Sequence, residues 1–402
     1  MKPLRPSSSR RGLAADLRIG FVPLLDAAPL IAALELGLFA DEGLNVSLHR
    51  QIGWANIRDK LAFGALDAGH ALLGLPLASH LDPAFPQPLV AIMALGLGGN
   101  AITLSNELLD AGVRTATDLG QLIRRHKNDR RLVFGHVFAS SMHHYLLREF
   151  LSSGGIDPDR DVRLAVIPPP QMPQHMAGGH VDGFCVGEPW NAIATRAKVG
   201  RTLLATTDLL PDHPEKVLAV TARFLADHGE LLERALRAIL HGCAFAAAPA
   251  NRRALAEILA RPCYINQPAE VLFECLAPER TFLARQSPSR VFSFDPQGTF
   301  PSKTYFHWLA GQMQRWGHLP ADTDVAALAD QACDTRIYRA AAADLGLACP
   351  AHDRPPMSSR NQANFAAIPA SAVNASTSWQ VPQPTRSRPR LKPVCAVLSG
   401  RN

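Results

Sequence analysis

Residues 183–191, Gly-Phe-Cys-Val-Gly-Glu-Pro-Trp-Asn, place a thiol and a carboxylate three positions apart at the end of an apolar run. A nucleophilic cysteine must be a thiolate, which requires a nearby base or a helix N-terminus to lower its pKa. The nearest base in sequence, His180, is an odd number of residues upstream of Cys185 and so lies on the opposite face of an extended strand. Cys185 therefore reads as an inert packing residue. Glu188 follows Gly187 and precedes Pro189, so it is either a carboxylate in a pocket wall or an acceptor for neighbouring backbone. We keep it as a candidate ligand-binding residue and read Trp190 as packing.

Two further groupings could do chemistry. His143 and His144, with Glu149 beyond them, are the nearest approach to a metal cluster. Adjacent helical residues point about 100° apart and cannot easily ligate one ion. They read as a surface or capping pair, of which one can still face a cleft. The second grouping suits an anion. Trp54 opens a helix, Asn100 ends a glycine-rich stretch, and His143 lies in the first turn of a helix that Ser140 or Ser141 can cap. Pro169 shapes a Pro-Pro-Pro loop, and Lys216 brings a cation. Helix N-termini offer free N–H groups and a positive dipole end. With amide, imidazole and ammonium donors they can hold a small planar oxyanion. No G-x-S-x-G, P-loop, H-E-x-x-H or G-x-G-x-x-G is present, and Gly-Leu-Gly-Gly-Asn at 96–100 is too short for a dinucleotide fingerprint. We expect no catalytic residue, no cofactor and no metal.

These residues need elements to hold them. Leu17–Leu24 is a short apolar run suited to a buried parallel strand. Asp26 reads as the cap of a helix with Pro29 in its first turn and Gly43 at its end. Residues 45–52 alternate as a second strand, and a helix begins at Trp54. Strand, helix and strand at this spacing mean βαβ units and a parallel sheet. The pattern continues through strands near 132, 162 and 183, with a helix over 140–155. The three prolines at 168–170 forbid a helix there. From about residue 221 the chain reads as mostly helical, with an amphipathic stretch at 223–247 and a further helix near 300–319.

The 402 residues, 47% of them hydrophobic, suffice for two lobes. The formal charge of +6 comes entirely from residues 351–402, which hold seven Arg and Lys against one Asp. The remainder is electrically balanced, which argues against direct nucleic-acid binding. No apolar run approaches the roughly 20 residues that cross a bilayer. Seven cysteines without a C-x-x-C pair fit reduced thiols rather than a disulfide framework. Disorder is expected for residues 1–16 and for the Pro-, Ser- and Arg-rich tail at 349–402. Ser9-Arg10-Arg11 lacks the apolar segment that an export signal requires, so we expect a cytoplasmic protein.

Several segments together carry a resemblance. Gly20–Leu48, Trp54–Leu73, Gly99–Ser105, Gly154–Met172, Gly183–Asn191 and His213–Val220 are similar to the nitrate/bicarbonate-binding family of ABC-transporter solute receptors, over about residues 17–345. The resemblance implies a periplasmic-binding-protein type II fold: α/β, with two Rossmann-like lobes and a ligand cleft. Lobe 1 would comprise 17–105 and 210–348, and lobe 2 would comprise 106–209. It also implies that Trp54, Asn100, His143, Pro169 and Lys216 stand at or beside nitrate-contacting positions, although such receptors often carry glutamine where Asn100 stands. A cation at Lys216 suits nitrate or nitrite, whereas bicarbonate receptors tend to place there a carboxylate that helps hold calcium. An amino terminus without a signal or a lipid-anchoring cysteine resembles the cytoplasmic nitrate/nitrite sensors of the NasS type. That likeness implies an ANTAR-domain response-regulator antiterminator as partner, bound without ligand and released on ligand binding. The alternative is the solute-binding component of a nitrate transporter.

Overall fold

The computed structural model describes residues 16–83, 85–126 and 130–357. The first strand, β1 (Leu17–Phe21), pairs in parallel with β2 (Val46–Arg50) and β3 (Ala68–Leu72). Between them lie α1 (Ala28–Glu35) and α2 (Trp54–Ala62). After β3 come α3 (Gly74–Leu81) and β4 (Leu89–Ala94). The second sheet contains β5 (Asn100–Ser105), β6 (Val133–His136), β7 (Arg163–Val166), β8 (Gly183–Gly187) and β9 (Gly200–Ala205). Its order is β9-β5-β8-β6-β7, with α4 (Met142–Ser153) and α5 (Trp190–Arg196) among its connections. The chain then returns, and β10 (Lys216–Thr221) inserts antiparallel between β3 and β4, giving β2-β1-β3-β10-β4. Two lobes joined by two crossings follow directly from this topology.

The alternation of strands and helices matches the sequence reading, with differences that include the following three. β5 belongs to the second sheet, so Asn100–Ser105, read as lobe 1, sits in lobe 2. The prolines do not exclude helical geometry: Pro169–Gln171 form a single 3₁₀ turn that leads into a helix at Met172–Ala177, because proline's missing N–H is unneeded in a first turn. The expected tail disorder fails at its start. Asp353 meets Arg339 at 2.8 Å, Arg354 meets Asp330 at 2.9 Å, and Thr304 Oγ1 donates to the Pro355 carbonyl at 2.6 Å. The rest of the tail, and residues 1–15, lie outside the described residues.

The crossings sit side by side. The outgoing one is the glycine-rich stretch 96–99, and the Gly98 N–H donates to the His213 carbonyl on the return crossing at 2.7 Å. Gly98 has φ 71°, and a Cβ there would lie 2.3 Å from the Val291 carbonyl oxygen. Only glycine fits such a left-handed, crowded position. The stretch that failed as a nucleotide fingerprint is a hinge.

The lobes are closed on each other. One apolar cluster runs from Leu24, Trp54 and Leu72 of lobe 1 through Met142, Phe184 and Trp190 of lobe 2. Trp190 Nε1 donates to the Pro23 carbonyl at 3.3 Å, and the Leu25 N–H donates to the Glu188 carbonyl at 2.9 Å. After α6 (Gly229–Ala247), which packs on α1, the chain reaches α7 (Lys303–Arg315). There Arg315 meets Glu149 at 2.6 Å and His318 meets the Tyr145 hydroxyl at 2.8 Å, both on α4 of lobe 2. The C-terminal region thus fastens both lobes.

Candidate functional site

The two crossings and the facing lobes bring a buried polar cluster together. Lys216, the first residue of β10, is 1% exposed. Its Nζ lies 2.9 Å from Asp26 Oδ2 and 3.4 Å from Glu215 Oε1. Asp26 Oδ1 in turn meets His70 Nε2 at 2.8 Å. Glu215 Oε1 meets His143 Nδ1 of lobe 2 at 2.8 Å, and its Oε2 accepts from Asn100 Nδ2 at 2.6 Å. Glu215 therefore joins the hinge, lobe 1 and lobe 2. Trp54, the first residue of α2, lays its ring 5.4 Å from the Lys216 ammonium and 6.2 Å from the His143 ring. A cation over an indole face is held electrostatically by the ring quadrupole.

Local structure explains each placement. Asp26 sits in a 3₁₀ turn, Leu25–Ala27, after β1, and its carboxylate turns into the cleft rather than capping a helix. His70 is central in β3, where both neighbours are strands. His143 is the second residue of α4, whose N-cap Ser141 accepts from the His144 N–H at 3.2 Å. Both helix N-termini proposed from sequence, at Trp54 and His143, therefore contribute a side chain to the cluster.

Polar groups remain free here. Trp54 Nε1, His143 Nε2 and Ser140 Oγ are buried and make no hydrogen bond among the described residues. Buried polar groups are paired in the great majority of cases, so the unpaired Trp54 Nε1 and His143 Nε2 beside one cation point to a ligand. A small anion is the complement of indole N–H and ammonium groups.

The electrostatics are those of a strongly coupled interior cluster. Burial would raise the Asp26 carboxyl, but Lys216 and His70 hold it well below the usual carboxylate range. Burial opposes ionisation of Glu215 too, yet His143 and Lys216 bring it down to about 2. Among the histidines, burial lowers His136 to about 3, His213 to about 4 and His318 to about 4. These shifts make the fold acid-sensitive. A histidine lowered from 6.5 stabilises the fold fully above that value and loses the contribution as pH falls toward its folded value; a lowered carboxylate does the same below 4.5. His213 alone, shifted to about 4, corresponds to about 3 kcal/mol. Urea unfolding at pH 7.5, 6 and 4.5 is expected to show stability declining already below pH 6.5, and a flat profile to pH 5 would contradict the buried neutral histidines.

Four of the residues chosen from sequence, Trp54, Asn100, His143 and Lys216, meet in this cluster. Glu188 does not supply it with a carboxylate. Its Oε1 faces Arg280 at 2.5 Å, and its Oε2 accepts from the Ala192 N–H at 3.2 Å in the first turn of α5. The backbone-acceptor alternative is the one realised, with Arg280 as counter-ion. Pro169 is buried at the head of its 3₁₀ turn, where its carbonyl accepts from the Met172 N–H. Cys185 is fully buried on β8 and burial pushes its thiol well up, so it is no nucleophile. His143 and His144 do point apart but are not a surface pair. His144 stacks on His136 at 4.3 Å and accepts from Arg148 Nε at 2.8 Å. Asp26, His70 and Glu215 were missed. The one signal was Glu215 itself, a carboxylate beside the candidate cation. No group of side chains suited to a metal ion occurs among the described residues. A larger cavity of about 500 Å³ opens behind the hinge at Ala244–Arg252 and Phe292–Pro296, but the buried polar cluster is elsewhere.

Two α/β lobes joined by two crossings, with unpaired polar groups between them, define the periplasmic-binding-protein type II fold. The chain belongs to the NMT1-like family, which it matches over residues 13–260. It is similar to the nitrate/nitrite binding protein NrtA of Synechococcus elongatus, 33% identical over 359 residues, covering 85% of this chain and 81% of that protein. It is 34% identical over 349 residues to the bicarbonate transport ATP-binding protein CmpC of the same species. That alignment covers 84% of this chain but 51% of CmpC, so the chain spans about half the length of that relative. Among solved structures, the periplasmic nitrate-binding protein NrtA from Synechocystis PCC 6803 superposes with a TM-score of 0.81 at 25% identity, covering 89% of this chain and all of that one.

Proposed function

We propose that the chain binds nitrate or nitrite in the closed cleft and does so as a cytoplasmic sensor rather than as an enzyme. The observation that carries the ligand assignment is the buried Lys216 ammonium beside the unpaired Trp54 Nε1 and His143 Nε2. A planar oxyanion can take hydrogen bonds from several directions at once, and the nitrate-binding relatives support this choice. In the sensor reading, the open form holds an ANTAR-domain response-regulator antiterminator. Ligand contacts to both lobes favour the closed form and release the partner, which then acts on nitrate assimilation genes. Linkage requires the partner to weaken ligand affinity by the factor with which the ligand weakens the partner. The second reading, the binding component of a nitrate transporter, is favoured by a relative named for nitrate import.

Titration calorimetry with nitrate, nitrite, bicarbonate and an alkanesulfonate tests the ligand. Nitrate or nitrite is expected to bind, and binding of an alkanesulfonate alone would overturn the assignment. A co-purification experiment with an ANTAR-domain antiterminator, with and without nitrate, tests the sensor. Recovery of the chain outside the cytoplasm favours the transporter.

A further inference from the structure

The cluster contains a constraint on how an anion enters. His143 Nδ1 stands 2.8 Å from a Glu215 oxygen, and two lone pairs cannot face each other at that distance. Nδ1 therefore carries a proton. In a neutral ring the other nitrogen, Nε2, then has a lone pair and no hydrogen. That Nε2 is fully buried and unpartnered, as is the nearby Trp54 Nε1. An anion without a hydrogen of its own cannot bond to a bare lone pair. It can be held there only if Nε2 is protonated too.

The charges around His143 point the same way. Glu215 touches it from the return crossing, Lys216 lies next on β10, and Asp26 faces it from the turn after β1. His213 of the crossing and His136 of β6 also face it, and burial keeps both neutral near pH 7. His70 meets Asp26 through Nε2 at 2.8 Å, while its Nδ1 accepts from the Val22 N–H at 3.3 Å. Two carboxylates, Asp26 and Glu215, thus face the single Lys216 ammonium around a neutral His143. An anion entering such a desolvated space meets uncompensated repulsion unless a positive charge arrives with it. Burial, against the pull of Glu215, lowers the His143 imidazole from its ordinary value, which is consistent with a neutral ring before binding.

We propose that His143 is a proton-coupled contact: nitrate or nitrite binds together with one proton, taken up at Nε2, while Glu215 fixes the Nδ1 proton and compensates the imidazolium. The inference rests on the oxyanion assignment above. It adds a selectivity rule, because an oxyanion that carries its own O–H can donate to the Nε2 lone pair and needs no proton from solvent. It also makes the affinity for nitrate a function of pH, tightening as pH falls.

The test is calorimetry of the whole chain with nitrate at one pH near 8, in buffers of different ionisation enthalpy. About one proton taken up per nitrate is expected, and Kd is expected to rise about tenfold per pH unit between pH 7.5 and 8.5. The variant His143→Gln retains an N–H donor that does not titrate, so weakened binding that is flat with pH is expected. Zero proton uptake with a pH-independent Kd in the wild type overturns the inference. A slope unchanged in His143→Gln overturns it as well, because the proton then goes elsewhere. If neither nitrate nor nitrite binds the folded protein at any pH, the oxyanion assignment fails first and the inference falls with it.

Discussion

Lys216→Met is expected to weaken nitrate binding by between about tenfold and 150-fold, since a charge-assisted contact contributes about 1.5–3 kcal/mol. The same substitution is expected to destabilise the fold. Lys216 is the ammonium that offsets Asp26 and Glu215, both of which it reaches within 3.4 Å. Removing one member of a buried ionic set costs about 3–5 kcal/mol, because the carboxylates left behind lose their cation and gain no water. The two effects can be separated. Asp26→Asn combined with Lys216→Met removes the main orphaned carboxylate, so the double variant is expected to regain much of the stability but none of the affinity. Urea unfolding and nitrate calorimetry on the two variants make the comparison. A double variant no more stable than the single one would show that Asp26 and Lys216 are not coupled.

Gly74→Ala is expected to hold the cleft open. Gly74 begins α3 in lobe 1, and a Cβ built on it would lie 1.7 Å from the Ser140 carbonyl oxygen of lobe 2. That oxygen belongs to backbone just before α4, so no rotamer change relieves the clash. Alanine suits a helix better than glycine, so lobe 1 itself is not weakened. The wedge acts on closure alone. Nitrate affinity is expected to fall at least tenfold, with the scattering radius in saturating nitrate staying at its ligand-free value. Under the sensor reading this variant would retain its antiterminator when nitrate is present. Nitrate affinity within twofold of the wild type would show that the lobes close along another path.

The sequence carried the architecture because its hydrophobic periods are clean. Leu17–Phe21 and Ala68–Leu72 are short buried runs, and α2 and α4 begin where Trp54 and the Ser140–Ser141 pair said they would. The lobe boundary was less legible, because Asn100–Ser105 is an apolar strand that either sheet could accept. Membership is decided by pairing with β8 and β9, a long-range choice. The site divided the same way. Donors such as Trp54, His143 and Lys216 are recognisable by type. Asp26 is not, because aspartate after a strand commonly caps a helix, and only the insertion of β10 beside β3 turns it toward a lysine 190 residues later. Glu188 misled for the opposite reason. Its counter-ion, Arg280, lies far along the chain in a segment with no recognisable motif.

The position of β10 also sets an order of events at the ribosome. β3 and β4 have no direct partner in each other; each pairs with β10, which is made only after all of lobe 2. Until residue 221 emerges, the first sheet presents two unpaired inner edges, the kind of exposed template on which nascent chains mispair. The lobe that starts the chain cannot finish first. Lobe 2, whose five strands fall within residues 100–205, can complete its sheet while lobe 1 waits. The strand that finally fills the gap carries Lys216 at its leading end, so the molecule gains its cation only with the step that seals its first sheet.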